Sequence, residues 1–149
     1  MAKWICTLND VFEQKTPAFL FPLMARFALA GVFWKSMMTK VVDGQLFNIQ
    51  QFYFYQARED FSAVPLISPD TMAVMSVYME TILPILFVFG LATRLSALAI
   101  LAMTAVIQIF VYPVAWDSHL LWALAALYLM KNGAGRLSVD HILKRSFDR

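Results

Sequence analysis

The chain has one cysteine and two histidines among its 149 residues. A single thiol, Cys6, can form neither an internal disulfide nor a Cys-x-x-Cys pair, so a self-contained dithiol oxidoreductase is excluded. A transition-metal site built from His119 and Glu80 would be underfilled. No Ser, His and acid residue occur at a spacing that indicates a nucleophilic triad. We therefore predict no metal centre and no thiol redox centre.

Charge is also scarce. Charged residues make up 15% of the chain and hydrophobic residues 60%, whereas a soluble domain usually contains about 25% charged residues. The formal net charge is +2, which is too small to indicate a nucleic-acid partner. This composition predicts a membrane protein.

Four long apolar stretches account for the composition, at residues 17–38, 71–91, 95–113 and 114–131. A membrane-spanning helix needs roughly 20 mainly apolar residues. Three stretches approach or exceed that length; the last is shorter, and either it starts near Val114 or the bilayer thins around it. We predict an all-α fold in which residues 1–149 form one membrane domain, a bundle of four transmembrane helices.

The distribution of Lys and Arg predicts the orientation of this bundle. With four spans, both termini lie on one side of the membrane. That side carries Lys3, Lys15, Arg94, Lys131, Arg136, Lys144, Arg145 and Arg149, and the other side carries Lys35, Lys40 and Arg58. The excess of cations predicts that both termini are cytoplasmic. His119 and His141 then lie on opposite sides of the membrane, so a bis-histidine haem is excluded.

Three further segments have interfacial character. The apolar residues of 1–16 recur at helical spacing, which predicts an amphipathic interfacial helix; a frayed terminus is the alternative. A second short amphipathic helix is predicted after Ser138, which can cap it. The outer loop, residues 39–70, is rich in aromatic residues beside glutamines. It is predicted to lie flat in the headgroup layer or dip inward as a lid, and a plain aromatic belt is the alternative.

Polar side chains within the apolar stretches are the candidate functional residues. A charge at bilayer depth costs about 2.5–3.5 kcal/mol, so such residues are expected to face the bundle interior. Counting helix rise from the ends of each stretch places Arg26 and Glu80 in the same central layer. We therefore predict an Arg26–Glu80 ion pair, either as part of a site or as a purely structural pair that fixes helix register.

A second polar layer is predicted nearer the outer surface. It would form an outward-opening, ligand-binding pocket with the Arg26–Glu80 pair as its floor. Its candidates are Gln108, His119, Lys35, Tyr78 and Trp116. Tyr78, Gln108 and Trp116 are suited to holding a planar, partly polar head group. The alternatives are an interhelical hydrogen bond for Gln108, a helix cap for His119, and snorkelling of Lys35 and Lys40 to phosphates.

Two runs of residues carry a resemblance to a known family over about residues 20–145. The runs are Glu80, Pro84, Gly90, Thr93 and Arg94, and then Gly133, Gly135, Arg136, Leu137, Ser138 and Asp140. They resemble the DoxX family of small four-helix membrane proteins. The stretch 103–113, with Trp116, His119 and Trp122, is similar to a subgroup encoded beside DUF692-type, multinuclear-iron peptide-modifying enzymes.

The resemblance implies a component of a bacterial inner-membrane redox or sulfur-oxidising system, some members being associated with quinone. It also implies polar-site roles for Arg26, Glu80 and His119, and turn or cap roles for Thr93, Arg94 and residues 138–140. The leading hypothesis is an accessory or ligand-binding subunit of a redox or metal-stress pathway. It would hold quinone or another small hydrophobic ligand and contact the lipid bilayer.

A protein partner from a redox or peptide-modifying system is expected, and homo-oligomerisation is left open. Two alternatives remain. The first is a membrane oxidoreductase subunit in which Glu80 and His119 relay protons to a bound quinone. The second is a small-solute exporter with Arg26 and Glu80 on its path.

Overall fold

A computed structural model describes residues 17–43 and 45–147, and within these ranges the chain is all-α. The helices are α1 (Leu20–Met38), α2 (Gln51–Asp60), α3 (Pro69–Phe89), α4 (Thr93–Val106), α5 (Trp116–Asn132) and α6 (Val139–Phe147). A π-helical segment, Ile107–Val111, continues α4. The β-structure within these ranges is an isolated antiparallel bridge between Val41 and Ile49.

Each of the four apolar stretches forms one long helix, as the all-α prediction requires. Two helical segments, Pro69–Phe89 and Thr93–Val111, are long and apolar enough to cross a membrane. Helices α1 and α5 contain 19 and 17 residues, and their assignment as spans stays a prediction. The amphipathic helix predicted within residues 1–16 lies outside the described residues.

Local signals set the helix ends. The side chain of Ser68 accepts a hydrogen bond from the Thr71 amide at 3.3 Å, with Pro69 in the first turn, as the Ser-Pro-Asp sequence predicts. Helix α3 ends at Gly90, whose φ of 64° is left-handed. The Ser138 hydroxyl accepts from the His141 amide at 3.2 Å at the start of α6. The second predicted terminal helix is therefore present.

Two apolar clusters form the core. The first lies among α1, α3, α4 and α5, and its buried residues include Leu29, Phe33, Leu83, Phe87, Ile100 and Leu129. The second joins the end of α1 to α2 and α3, and it includes Met37, Val41, Tyr53, Ala57, Phe61 and Val77. The aromatic-rich loop therefore contributes a helix whose Tyr53 and Ala57 are buried against the bundle.

Because the four long helices alternate in direction, the bundle has two distinct ends. Helix α1 ends, and α3 and α5 begin, at the end that carries α2, which we call the α2 end. The opposite end carries the α3–α4 turn and α6, and we call it the α6 end. Buried polar residues occur at both ends.

Candidate functional site

A cavity of about 590 Å³ lies at the α2 end. Helices α1, α3, α4 and α5 all contribute to its wall, and α2 adds Phe52, Tyr53 and Gln56. Most of the lining is apolar and includes Phe33, Met75, Met79, Val106 and Trp122. The polar lining includes Lys40, Asp60, Ser76, Glu80, Tyr112 and His119.

Glu80 forms an ion pair with Lys40. The Lys40 Nζ atom lies 2.6 and 2.7 Å from the two carboxylate oxygens, and Glu80 is 2% exposed. Lys40 follows the end of α1 and also lies 5.2 Å from the centre of the Tyr53 ring. The prediction that Lys40 snorkels to lipid phosphates is therefore wrong, because a buried carboxylate takes its ammonium group.

The predicted Arg26–Glu80 pair is also wrong. Arg26 is buried, but its guanidinium donates to four backbone carbonyls, at Phe87 (2.7 Å), Val88 (2.7 Å), Ala134 (3.1 Å) and Leu137 (2.7 Å). These carbonyls belong to the end of α3 and to the segment that joins α5 to α6. Carbonyls at the ends of helices lack intrahelical donors, and here the N–H groups of the guanidinium act as their donors.

The depth estimate failed because α1 begins at Leu20 and not at residue 17. Arg26 then lies about 9 Å along α1 from its start, whereas Glu80 lies about 13–14 Å from the end of α3. The Arg26 guanidinium reaches Phe87 and Val88, which lie about two turns of α3 beyond Glu80.

Around Arg26 the chain is closely packed. A Cβ placed on Gly90 would lie 2.6 Å from Ser138 Cβ and 2.8 Å from Arg26 Cζ. The carboxylate of Asp140 accepts from the Ala92 and Thr93 amides at 2.7 and 2.9 Å, and so it caps α4. The structural roles that the resemblance implies for Thr93 and residues 138–140 agree with these contacts. We call Arg26, Gly90, Ser138 and Asp140 the Arg26 cluster.

Gln108 contacts His119, which lines the cavity. Gln108 Oε1 lies 2.7 Å from His119 Nδ1, and Gln108 Nε2 donates to the Pro113 carbonyl at 2.7 Å. His119 is 4% exposed, and its ring centre lies 4.9 Å from that of Trp122. The interhelical hydrogen bond predicted for Gln108 is confirmed. Gln108 belongs to the π-helical segment, and π-turns are frequent at functional sites.

Tyr53 fixes α2 to α3. Its hydroxyl lies 2.8 Å from Ser76 Oγ, and the Ser76 hydroxyl donates to the Ala73 carbonyl at 2.9 Å. Burial raises the pKa of Tyr53 well above its usual range, so the phenol stays protonated and donates to Ser76. At the cavity rim, the Tyr112 hydroxyl donates to Asp60 Oδ2 at 2.9 Å.

The remaining candidates lie away from the cavity. Lys35 and Trp116 are exposed, and Tyr78 is exposed with its ring 4.8 Å from that of Phe47. The predicted set therefore divides: Glu80 and His119 line the cavity, Gln108 supports His119, and Arg26, Lys35, Tyr78 and Trp116 do not contribute to the wall.

Sequence reasoning missed Lys40, Tyr53, Ser76, Asp60 and Tyr112. One usable signal was the helical spacing of Tyr53, Ala57 and Phe61, all of which are buried in the structure. It predicts that α2 packs its apolar face on the bundle. Among residues 17–43 and 45–147, no group of three or more His, Cys, Asp or Glu side chains is placed to hold a metal ion.

Comparison with known proteins supports the family resemblance. A protein of Haemophilus influenzae, described as uncharacterized, is 30% identical over 137 residues, and the match covers 84% of each chain. No solved structure matches the chain at a significant level. The sequence model of the DoxX family matches residues 21–113, which include α1 except for its first residue and all of α2, α3 and α4. The chain therefore belongs to the DoxX family of membrane proteins.

Proposed function

We propose that this protein binds a small apolar ligand with a polar head, of which a quinone is the candidate, within the membrane. The observation that carries the proposal is the cavity of about 590 Å³ at the α2 end. Ligand pockets commonly measure about 300–1,000 Å³ and combine apolar walls with a few placed polar groups. The Lys40–Glu80 pair and His119 are such groups.

The position of the cavity supports entry from the lipid. Met75 and Met79 on α3 and Ala102 on α4 line the cavity, and all three are exposed. We propose that the cavity opens to the outer surface between these two helices. In a bilayer, that surface would meet acyl chains, and a lipid-soluble ligand would enter without crossing water.

A quinone fits the residues present in size and polarity. Its ring would lie among Phe33, Trp122 and the methionines of α3, and its oxygens would lie toward the Lys40 ammonium group. When bound, a quinone would supply redox capacity that the side chains of the cavity wall lack. The residues themselves would bind and orient the ring and exclude water.

We further propose that α1, α3, α4 and α5 are four spans with both termini cytoplasmic, in the bacterial inner membrane. The helix lengths and the Lys and Arg distribution support this topology. The protein would act as an accessory subunit for a partner from a redox or peptide-modifying system. Such a partner would use or renew the bound ligand.

An oxidoreductase subunit is the second candidate, because Glu80 and His119 line one cavity. Glu80 would then have to release Lys40 before it relayed a proton. The exporter hypothesis has less support, since Arg26 is not part of the cavity wall. Leu29, Phe87 and Ile100 fill the core between Arg26 and the cavity.

The test is quenching of Trp122 fluorescence by a short-chain quinone, in a variant that carries Trp4→Phe, Trp34→Phe and Trp116→Phe. We expect saturable quenching. Ala99→Phe, on the cavity wall, should abolish the saturable component. Ala105→Phe makes the same change at an exposed site on the same helix and should preserve it. Unsaturable quenching, or equal saturation in both variants, would contradict the proposal.

A further inference from the structure

We infer that the cavity selects a ligand that donates a hydrogen bond, a neutral phenol or hydroquinone hydroxyl, and that His119 Nε2 accepts it. This inference rests on the proposed function and deepens it, because it names the chemical form of the head group. Three features of the wall carry it: the tautomer of His119, the direction of the hydroxyl hydrogens, and the charge.

The tautomer of His119 follows from a chain of hydrogen bonds. Gln108 Nε2 faces the Pro113 carbonyl at 2.7 Å, and a carbonyl only accepts, so the amide nitrogen of Gln108 lies on that side. Gln108 Oε1 therefore faces His119 Nδ1, 2.7 Å away. Since Oε1 also only accepts, Nδ1 must carry the hydrogen, and the neutral imidazole has its lone pair on Nε2.

The lone pair on Nε2 is left for a ligand. His119 lines the cavity and is 4% exposed, and Nε2 makes no hydrogen bond to any residue that the structure describes. A ligand that covers Nε2 removes it from water, and an acceptor that is buried without a donor carries a free-energy cost. A ligand hydroxyl would remove that cost, whereas a ligand carbonyl would not, because it offers only lone pairs.

Four of the five hydroxyl hydrogens on the described wall are already used within the protein. Ser76 donates to the Ala73 carbonyl at 2.9 Å, so it accepts from Tyr53. Thr39 donates to the Ser36 carbonyl at 2.7 Å, and Tyr112 donates to Asp60 at 2.9 Å. These hydroxyl groups keep lone pairs but no free hydrogen. This part of the wall therefore favours a ligand that donates.

The net charge of the cavity wall restricts the class of ligand further. Lys40 and Glu80 neutralise each other, and Tyr112 is a neutral donor to Asp60. Among the described residues, the wall thus has one more negative charge than positive charge while His119 is neutral. An anionic head group would be repelled. A neutral hydroxyl on an apolar body satisfies both the hydrogen-bonding and the charge requirement.

The experiment compares three probes by isothermal titration calorimetry in detergent micelles, without oxygen and at pH 8. The probes are a hydroquinone with a ten-carbon tail, its dimethyl ether and the corresponding quinone. We expect the hydroquinone to bind at least about tenfold more tightly than the other two, since a site built for a donor rejects analogues that lack it. In His119→Phe the three affinities should agree within about threefold, since the acceptor of this single bond is gone.

Each other outcome overturns a defined part of the account. Equal binding of the three probes to the natural sequence would overturn this inference and leave the proposed function standing. Discrimination that persists in His119→Phe would remove His119 as the acceptor. Absence of binding by all three probes would overturn the proposed function as well.

Gln108 is a positioning residue in this account, and its test reads the tautomer directly. In a His141→Gln background His119 is the single imidazole, since the chain has two histidines. The ¹⁵N shifts of the neutral ring should report a hydrogen on Nδ1, and Gln108→Leu should mix the two tautomers. A ring that carries its hydrogen on Nε2 in the parent would overturn the inference.

Discussion

The two ends of the bundle both bury ionisable side chains, and they use them differently. At the α6 end, Arg26 donates to four backbone carbonyls, and Gly90 packs so closely that a Cβ would overlap Ser138. At the α2 end, Glu80 and His119 bind one side chain each and face a cavity of about 590 Å³. Polar groups that are satisfied by backbone hold the fold together. Polar groups that keep unused hydrogen-bonding capacity beside a cavity are candidates for a binding site.

If the Arg26 cluster is structural, replacing Arg26 should cause the largest loss of stability. Arg26→Met would leave three of the four carbonyls without a donor among the described residues, since the Phe87 carbonyl still accepts from the Gly90 amide. We expect the free energy of unfolding to fall by about 3 kcal/mol or more. Denaturant unfolding in detergent micelles measures it. Lys35→Met, an exposed cation on the same helix, should change stability by no more than about 0.5 kcal/mol. Equal losses in the two variants would contradict a structural role for Arg26.

The close approach at Gly90 gives the next largest effect. Gly90→Ala would place a methyl group 2.6 Å from Ser138 Cβ at a φ of +64°, and we expect a loss of about 1–3 kcal/mol. Gly31→Ala is the matched control, because its Cβ would meet nothing within 4 Å. It should be neutral or stabilise α1 by up to about 1 kcal/mol. Thermal unfolding of both variants tests this, and a neutral Gly90→Ala would refute the packing argument.

At the α2 end, the Lys40–Glu80 ion pair should appear as a coupling free energy between substitutions of the two residues. Lys40→Met and Glu80→Gln each remove one partner, and the double variant removes both. We expect the double variant to lose about 1–2 kcal/mol less stability than the sum of the single variants, because each single change strands a partner. A double-mutant cycle in denaturant measures the coupling. Additive losses would show that the two side chains do not interact.

The smallest expected effect concerns the attachment of α2. Tyr53→Phe removes the hydrogen bond to Ser76 and keeps the ring, so it should cost about 1 kcal/mol. Tyr55→Phe changes an exposed tyrosine on the same helix and should cost close to nothing. Proteolysis within α2 offers a second readout, since only Tyr53→Phe should speed it. The same rate of proteolysis in both variants would contradict the role of the Tyr53 hydroxyl in attaching α2.

Local signals in the sequence predicted the helix ends, because caps act over a few residues. Ser68 and Gly90 bound α3, and Ser138 starts α6 as predicted. The partners of the ionisable residues were not predictable in this way. Helix rise from an assumed end fixes depth alone, and a shift of three residues at the start of α1 moved Arg26 away from Glu80. Lys40 was missed because it lies beyond the end of α1, where helix rise does not indicate which partner its long side chain reaches.

The Gln108–His119 contact shows where such reasoning succeeds. Both residues were expected near the outer end of adjacent spans, and a short turn between α4 and α5 limits their separation. The π-helical segment that carries Gln108 has no signal that we recognise in the sequence. Contacts between distant segments therefore could not be predicted without the tertiary structure, whereas a contact across a short helical hairpin could.

We propose that the α2 end of the bundle binds a ligand and that the α6 end stabilises the fold. Native mass spectrometry of the protein released from cell membranes tests it most directly. We predict a stoichiometric lipid-soluble adduct on the natural sequence and on Ala105→Phe, and its absence from Ala99→Phe at unchanged thermal stability. An adduct retained at full occupancy in Ala99→Phe, or absent from all three proteins, would contradict the account.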